Sequence, residues 1–181
     1  HGEILVGIGD DTAVLKIDNE RALLVTCDIQ VEDQHFQLKN ISPYQLGRRA
    51  MAVNLSDIAA MGGKPTFALV SMGFPKSFPL SNFEKIFQGM QHQLSEFSVI
   101  IIGGNLSHTE MKLIVDITMI GEVPSTQFLT RNGAQVGDRI FITGNVGISG
   151  AVLYCTKDIT IEGFRNLGAG VMVYDTDFHP I

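Results

Sequence analysis

The sequence has 181 residues, 45% of them apolar, and its formal net charge at pH 7 is −6. That apolar content can form a buried core, while the acidic balance argues against a nucleic-acid partner. No apolar run reaches the length of a membrane-spanning helix. The two cysteines, Cys27 and Cys155, lack metal-ligand spacing and fit a reducing compartment. We therefore expect a cytoplasmic protein with no membrane partner.

The segment Gly7–Asp11 places two adjacent carboxylates directly after a Gly-Ile-Gly turn sequence. Two neighbouring like charges become favourable when a cation lies between them and an anion. A solvated surface turn is the alternative interpretation of these five residues.

Two short strands follow, predicted at Ala13–Ile17 and Ala22–Thr26 and joined by a polar turn. Pairing them as a hairpin predicts that Asp11 lies roughly opposite Asp28. Asp10 would join these two carboxylates at the same end of the hairpin. Hard oxygen ligands of this kind suit Mg²⁺, although a charged hairpin end in solvent remains possible.

The next segment, 29–36, is predicted to be an irregular polar continuation of the second strand. It contains His35, which could contact a substrate. A solvated loop histidine is the alternative.

A long helix is predicted to begin at Ser42, where Gln45 completes a capping box, and to end at Gly62-Gly63. Asn54 and Asp57 lie one turn apart on one of its faces. Because Asp57 stands in an almost entirely apolar stretch, its carboxylate needs a hydrogen-bond partner or a metal. Both possibilities stay open from the residues alone.

The later segments alternate between apolar strands and one further helix. We predict strands at Thr66–Met72, Val99–Ile102 (buried), Lys112–Ile120, Asp138–Thr143 and Val171–Tyr174, a helix opening with a capping box at Ser81–Glu84, and a helix start after Gly144–Gly150. Strands and helices mix without a regular βαβ period. This pattern indicates an α+β fold, a largely antiparallel sheet with helices on one face.

Two later loops carry candidate phosphate contacts. Gly103-Gly104-Asn105 is predicted to be a turn whose backbone N–H groups could meet phosphate oxygens. The basic loop Thr130–Ala134 contains Arg131, which is either a phosphate clamp or an ordinary surface arginine.

Seven motifs in fixed order resemble one known family. They are Gly7–Asp11, Asp28 followed by His35-Phe36, Ala52–Gly62 (Ala-Val-Asn-Leu-Ser-Asp-Ile-Ala-Ala-Met-Gly), Gly103-Gly104, Gly121–Pro124, Thr130–Ala134 and Gly137-Asp138. Together they resemble thiamine-monophosphate kinase, of the aminoimidazole-ribonucleotide-synthetase-like (PurM-like) superfamily. The resemblance covers about residues 4–155.

The resemblance implies transfer of the γ-phosphoryl group of ATP to thiamine monophosphate, with Mg²⁺, giving thiamine diphosphate. It also implies a homodimer formed through the N-terminal sheet. Residues 1–136 would form a PurM N-terminal-like domain for ATP and Mg²⁺ binding and dimerisation. Residues 137–181 would be a fragment of the C-terminal domain.

The family's functional positions carry over residue by residue. The implied metal-directed residues are Asp11, Asp28, Asp57, Thr26, Cys27 and Asn105. The implied ATP-binding residues are Gly104, Asn105 and Arg131, and His35 would face thiamine monophosphate. The resemblance assigns no catalytic residue, since direct in-line transfer needs mainly positioning and charge neutralisation.

Three positions depart from the family pattern. Asn105 and Ile148 stand where Asp is expected, and Cys27 stands where Ser or Thr is usual. The family's Leu-Ser-Asp-Gly and Ser-Gly-Glu-Asp-Tyr motifs do not occur in this sequence. We therefore expect Mg-ATP binding that is weaker than usual for the family. A non-catalytic nucleotide- and metal-binding dimer module, or a related synthetase with another substrate, are the alternatives.

Overall fold

The structure is a computed structural model, and it describes residues 3–133. Six strands, two α-helices and one 3₁₀ helix are found in this range. In chain order they are β1 (Ile4–Val6), β2 (Ala13–Lys16), β3 (Arg21–Val31), α1 (Pro43–Ala60), β4 (Lys64–Pro75), α2 (Leu80–Ser95), β5 (Ile100–Thr109), β6 (Ile114–Pro124) and the 3₁₀ helix Arg131–Gly133.

The strands form one sheet in the order β1-β2-β3-β6-β4-β5. All neighbouring pairs are antiparallel except β4 and β5, which are parallel because α2 crosses between them. The predicted α+β fold with a largely antiparallel sheet is thus confirmed. The predicted C-terminal fragment lies outside the described residues.

Helix α1 begins as the sequence predicted. The Ser42 hydroxyl accepts a hydrogen bond from the Gln45 backbone N–H, and the Gln45 side chain accepts one from the Ser42 N–H. After the helix, Gly62 adopts a positive φ of 73°, which glycine tolerates without strain. The capping box and the glycine end are both confirmed.

The two helices approach each other closely through a pair of glycines. A Cβ at Gly47 of α1 would collide with the Ile86 carbonyl oxygen, and one at Gly89 of α2 would collide with the Tyr44 carbonyl oxygen. Only glycine lets two helix backbones come so near. Helix α1 in turn contacts β3, β4 and β6, so the helices lie on one side of the sheet.

The core lies between α1 and the central strands. Its fully buried large side chains include Leu24, Leu46, Met51, Ile58, Met61, Ile117 and Met119. Burying such side chains is the main stabilising contribution to this layer. Within residues 3–133, neither helix is both long and apolar enough to cross a membrane.

Two local predictions were wrong. Residues 29–31 are regular strand, because β3 pairs with β6 as far as Val31 opposite Ile114. Helix α2 begins after Pro79, which offers no side-chain cap, so the expected capping box at Ser81–Glu84 does not form.

Strand β5 corrects two further predictions. Val99–Ile102 was expected to be a buried strand, yet Ile100 and Ile102 are 60% and 53% exposed, since β5 is an edge strand. Gly103–Asn105 was expected to be a turn, yet these residues continue β5 and pair with Leu69, Val70 and Ser71 of β4.

Several predicted features lie outside the described residues. They are the strands at 138–143 and 171–174, the helix start after 144–150, and Ile148.

Candidate functional site

Strand β3 separates the candidate site residues by the alternation of its side chains. Thr26 and Gln30, at even positions, are buried, with 8% and 4% exposure, and Asp28 between them is half-buried. Cys27, at an odd position, is exposed on the opposite side of the sheet. Polar residues at every second position therefore face α1, where an apolar row would be usual.

The buried contact between β3 and α1 is a hydrogen bond between two site residues. The Thr26 hydroxyl donates to the Asp57 carboxylate, with 2.5 Å between the oxygens. Asp57 is only 7% exposed. The polar partner that its apolar surroundings require thus comes from another element of the fold rather than from a local cap.

One turn before Asp57 in α1, Asn54 is fully buried, and its amide nitrogen donates to the Ala50 carbonyl oxygen at 3.1 Å. We call the row formed by Thr26, Asp28 and Gln30 of β3 with Asn54 and Asp57 of α1 the polar seam.

The second group lies at the start of β2 and on the 3₁₀ helix. The Arg131 guanidinium forms an ion pair with Asp11, whose side chain is only 6% exposed. The Arg131 backbone N–H donates to Asp10 Oδ2 at 3.1 Å, and the Asp11 N–H donates to Asp10 Oδ1 at 3.0 Å. We call Asp10, Asp11 and Arg131 the acidic tip. The candidate cation residue Asp11 and the candidate phosphate clamp Arg131 are thus in direct contact.

The predicted hairpin forms, but its register differs by one residue from the pairing that placed Asp11 roughly opposite Asp28. Strands β2 and β3 pair with Ala13 opposite Val25 and Lys16 opposite Ala22, and the pairing ends at Ala13. Within residues 3–133, no group of three or more His, Cys, Asp and Glu side chains is placed to hold a metal ion. The expected convergence of Asp10, Asp11 and Asp28 is therefore not seen.

Cys27 is not brought together with the other candidate metal ligands. Its thiol donates to Asp116 Oδ1 at 3.2 Å and accepts from the Thr118 hydroxyl at 3.5 Å, both on β6. Partial burial raises the pKa of the Cys27 thiol, the Thr118 hydrogen bond lowers it, and the Asp116 carboxylate raises it further. The thiol therefore stays protonated near neutral pH and is a poor ligand for Mg²⁺.

Gly104 and Asn105 are also separated from the polar seam. Gly104 has a φ of 146°, and a Cβ there would collide with the Val70 carbonyl oxygen, so the glycine allows β5 to approach β4. Asn105 pairs with Ser71, in the same row as Asp116 and Ile29. Three strand spacings separate it from β3, or roughly 14 Å.

His35 lies in the loop that follows β3 and is half-buried. Its Nδ1 accepts a hydrogen bond from the Val31 N–H at 3.0 Å, and its carbonyl oxygen accepts one from the Arg49 guanidinium at 2.8 Å. Because Nδ1 is the acceptor, the neutral ring carries its proton on Nε2, which can donate to a ligand.

Sequence reasoning missed Gln30 and gave no role to Asn54. The signal was the polar side chain at every second position from Thr26 to Gln30, which indicates that the buried face of β3 is polar. Asn54 shares a helix face with Asp57 and belongs to the same seam.

Comparisons with known proteins agree with this architecture. The family model described as AIR synthase related protein, N-terminal domain, matches residues 9–123. The chain belongs to this family. The match spans β2 to β6 and includes both the polar seam and Asp10 and Asp11 of the acidic tip.

The chain is also similar to curated thiamine-monophosphate kinases. That of Bacillus subtilis (strain 168) is 40% identical over 153 residues, which cover 84% of this chain and 47% of the relative. That of Buchnera aphidicola subsp. Schizaphis graminum is 41% identical over 149 residues, covering 81% and 44%. The chain spans about half the length of the curated relatives it matches.

Among solved structures, AaThiL complexed with AMPPCP and TMP superposes with a TM-score of 0.73. It is 33% identical, and the match covers 87% of this chain and 50% of that one. The resemblance to thiamine-monophosphate kinase that the ordered motifs indicated is therefore confirmed at the level of sequence and fold.

Proposed function

We propose that the full protein transfers the γ-phosphoryl group of ATP to thiamine monophosphate, giving thiamine diphosphate, with Mg²⁺ as the essential ion. The observation that carries the proposal is the similarity to AaThiL complexed with AMPPCP and TMP, at 33% identity. The chain's contacts supply a separate argument, because Asp11 lies against Arg131 and Thr26 orients Asp57.

The donor set fits Mg²⁺. Asp11, Asp28 and Asp57 offer hard carboxylate oxygens, and Mg²⁺ is usually held by one or two carboxylates together with water and phosphate oxygens. The absence of a preformed three-ligand group in residues 3–133 is compatible with such a site, since nucleotide oxygens would complete it. When bound, the ion would neutralise charge on the transferring phosphoryl group.

At the acidic tip, we expect an exchange of ionic partners. Arg131 and Asp11 neutralise each other in the structure. A magnesium–nucleotide complex presents both a cation, which can replace Arg131 at Asp11, and an anion, which can replace Asp11 at Arg131. Each charged group keeps an opposite charge through the exchange, so the cost of binding stays low.

In the polar seam, the residues act by holding position. Thr26 fixes the orientation of the Asp57 carboxylate, which belongs to a rigid helix. At the far end of β3, His35 is held by Val31 and Arg49, leaving Nε2 to donate to thiamine monophosphate. Positioning of this kind is the protein's main contribution to in-line phosphoryl transfer.

The same resemblance implies further nucleotide contacts, a second domain and a dimer. The ATP contacts would include Gly104, Asn105 and Arg131. Residues 1–136 would form the nucleotide-binding domain, and residues 137–181 would belong to the second domain.

A homodimer through the sheet is supported by exposed apolar side chains on the side away from α1, where Ile29, Phe67 and Ile100 are 53%, 41% and 60% exposed. The enzyme would act in the cytoplasm.

The decisive experiment is an assay of the full-length protein with ATP, Mg²⁺ and thiamine monophosphate. We expect thiamine diphosphate and ADP in equal amounts, and loss of at least about 100-fold in kcat for Asp57→Asn, since removal of one electrostatic group costs about that much. Absence of product under conditions that activate the Bacillus subtilis relative would refute the proposal.

Two observations favour a second candidate, a module that binds Mg-ATP without turnover. Cys27 lies away from the polar seam, and Asn105 lacks the negative charge expected at its position. Calorimetric binding of Mg-ATP with no product in the assay would select this candidate.

A further inference from the structure

The polar seam has a middle section between two hydrogen bonds. At one end Thr26 of β3 contacts Asp57 of α1, and at the other the Arg49 guanidinium of α1 contacts the His35 carbonyl oxygen just beyond β3. The helix and the strand therefore run side by side in opposite directions. Gln30 and Asn54 both lie between these two contacts.

The two carboxamides of this section have acceptor oxygens without partners. Gln30 and Asn54 are 4% and 0% exposed, and among residues 3–133 neither Gln30 Oε1 nor Asn54 Oδ1 has a hydrogen-bond partner. The Asn54 amide nitrogen already donates to Ala50, which fixes how the group is turned. An unsatisfied buried acceptor destabilises the fold, so a donor ligand is expected at these oxygens.

We propose that Gln30 and Asn54 are positioning residues that accept hydrogen bonds from water molecules bound to Mg²⁺. The inference rests on the proposed Mg²⁺ site at Asp28 and Asp57. Mg²⁺ dehydrates reluctantly and keeps several waters, whose O–H groups need acceptors. A carboxamide oxygen is such an acceptor and adds no negative charge to a site that already holds carboxylates.

The spacing along the two elements agrees with this role. Asn54 precedes the metal-directed Asp57 by one helical turn, or about 5–6 Å between Cβ atoms. Gln30 follows Asp28 by two residues on the same face of β3, or about 7 Å. Each carboxamide thus stands one structural repeat beyond a carboxylate.

The test measures Mg²⁺ binding by the full chain rather than catalysis. With AMPPCP present at saturation, Mg²⁺ is titrated, and the rise in melting temperature gives the half-saturating concentration. We expect Gln30→Met and Asn54→Leu each to raise that concentration about 10-fold or more, since outer partners of metal ligands typically contribute 10–100-fold in affinity. Cobalt(III) hexaammine, an inert analogue of hydrated Mg²⁺ that binds only through N–H donors, should lose affinity in parallel.

Three further variants make the outcome decisive. Gln93→Met removes an equally buried glutamine from α2, where it accepts a hydrogen bond from Arg48, and should leave Mg²⁺ binding unchanged. Gln30→Glu and Asn54→Asp keep an acceptor oxygen and should keep Mg²⁺ affinity within about threefold of wild type, or raise it. If Gln30→Met or Asn54→Leu fails to fold, these two variants test the role of the carboxamide oxygens in its place.

The results separate this inference from the proposed function. Unchanged Mg²⁺ affinity in Gln30→Met and Asn54→Leu, with weakened affinity in Asp57→Asn, would overturn the role of the carboxamides and leave the metal site standing. Unchanged affinity in Asp57→Asn as well would overturn the metal site itself. A 10-fold loss in Gln30→Glu would also contradict the proposal, because that variant retains the acceptor.

Discussion

The acidic tip and the polar seam satisfy their carboxylates in opposite ways. Asp11 is neutralised by Arg131, whose side chain is 60% exposed, so solvent reaches the cation. Asp57 receives a neutral hydroxyl from Thr26, and both residues are more than nine-tenths buried. Because the Arg131 side of the ion pair is open to solvent, its partner can be exchanged, whereas the buried hydrogen bond is fixed by the packing of a helix on a sheet.

Under the proposed function, the two groups would play different parts in ligand binding. The tip can change partners when a charged ligand arrives, and salt will weaken it. The polar seam holds the Asp57 carboxylate in a fixed position. Substitutions should therefore lower stability most in the seam and alter ligand binding with little loss of stability at the tip.

The largest effect on stability is expected for Thr26→Val, which keeps the shape of the side chain and removes the donor to Asp57. Loss of a buried hydrogen bond to a charged group should lower the free energy of unfolding by about 1.5–3 kcal/mol. Chemical denaturation monitored by circular dichroism measures the change. Thr66→Val is the matched control, because Thr66 donates to the neutral Ile120 carbonyl oxygen at 3.0 Å, and about 1 kcal/mol is expected there. Equal losses of stability in the two variants would show that the hydrogen bond between Thr26 and Asp57 stabilises the fold no more than an ordinary one.

Much of this architecture follows from local sequence. Helix α1 is specified by the Ser42 capping box at one end and Gly62 at the other, and both signals act within a few residues. Asp57 was singled out because a carboxylate in apolar surroundings is rare, and Asp28 was singled out from the predicted hairpin. These features need no knowledge of distant contacts.

The partners of those residues could not be found in the same way. Thr26 and Asp57 are 31 positions apart, and Asp11 and Arg131 are 120 apart, so only the tertiary fold brings each pair together. Gly104 was misassigned for a related reason. Glycine is needed at this position because β4 approaches it closely. A pair of glycines has the same sequence whether it forms a turn or lies in a strand with a close neighbour.

An intermediate effect is expected for Arg131→Ala at the tip. Because Arg131 covers Asp11, its removal admits water to the carboxylate, and the free energy of unfolding should fall by no more than about 1 kcal/mol. Loss of a charge-assisted contact to phosphate should raise the KM for ATP about 10- to 100-fold. Steady-state kinetics at several ATP concentrations measures this change.

Arg21→Ala provides the control for Arg131→Ala. Arg21 is similarly exposed, at 56%, and pairs with Asp18 at 3.1 Å. It lies at the turn between β2 and β3, whereas the acidic tip lies at the other end of this hairpin. Its KM for ATP should equal that of wild type. A raised KM in Arg21→Ala would mean that general surface charge, and not the tip, attracts the nucleotide.

The smallest effect is expected for Cys27, which lies on the opposite side of β3 from the polar seam. Partial burial and Asp116 raise the pKa of the thiol, so its thiolate fraction at pH 8 should be lower than that of free cysteine. In a Cys155→Ser background, the rate of iodoacetamide labelling should rise with pH along a curve shifted to higher pH than for free cysteine. Stability contributed by the protonated thiol is full below the unfolded pKa and is lost as pH rises through the folded pKa.

Two neighbouring residues allow the pKa of the Cys27 thiol to be moved in opposite directions. Asp116→Asn removes a carboxylate that raises the pKa and should move the labelling curve to lower pH. Thr118→Val removes a donor that lowers the pKa and should move it to higher pH. Neither change should alter the Mg²⁺ dependence of the melting temperature, because both side chains contact Cys27 and not the seam. If either variant also changed the Mg²⁺ dependence of the melting temperature, the two faces of β3 would be coupled. The polar seam would then not be independent of the opposite face of the sheet.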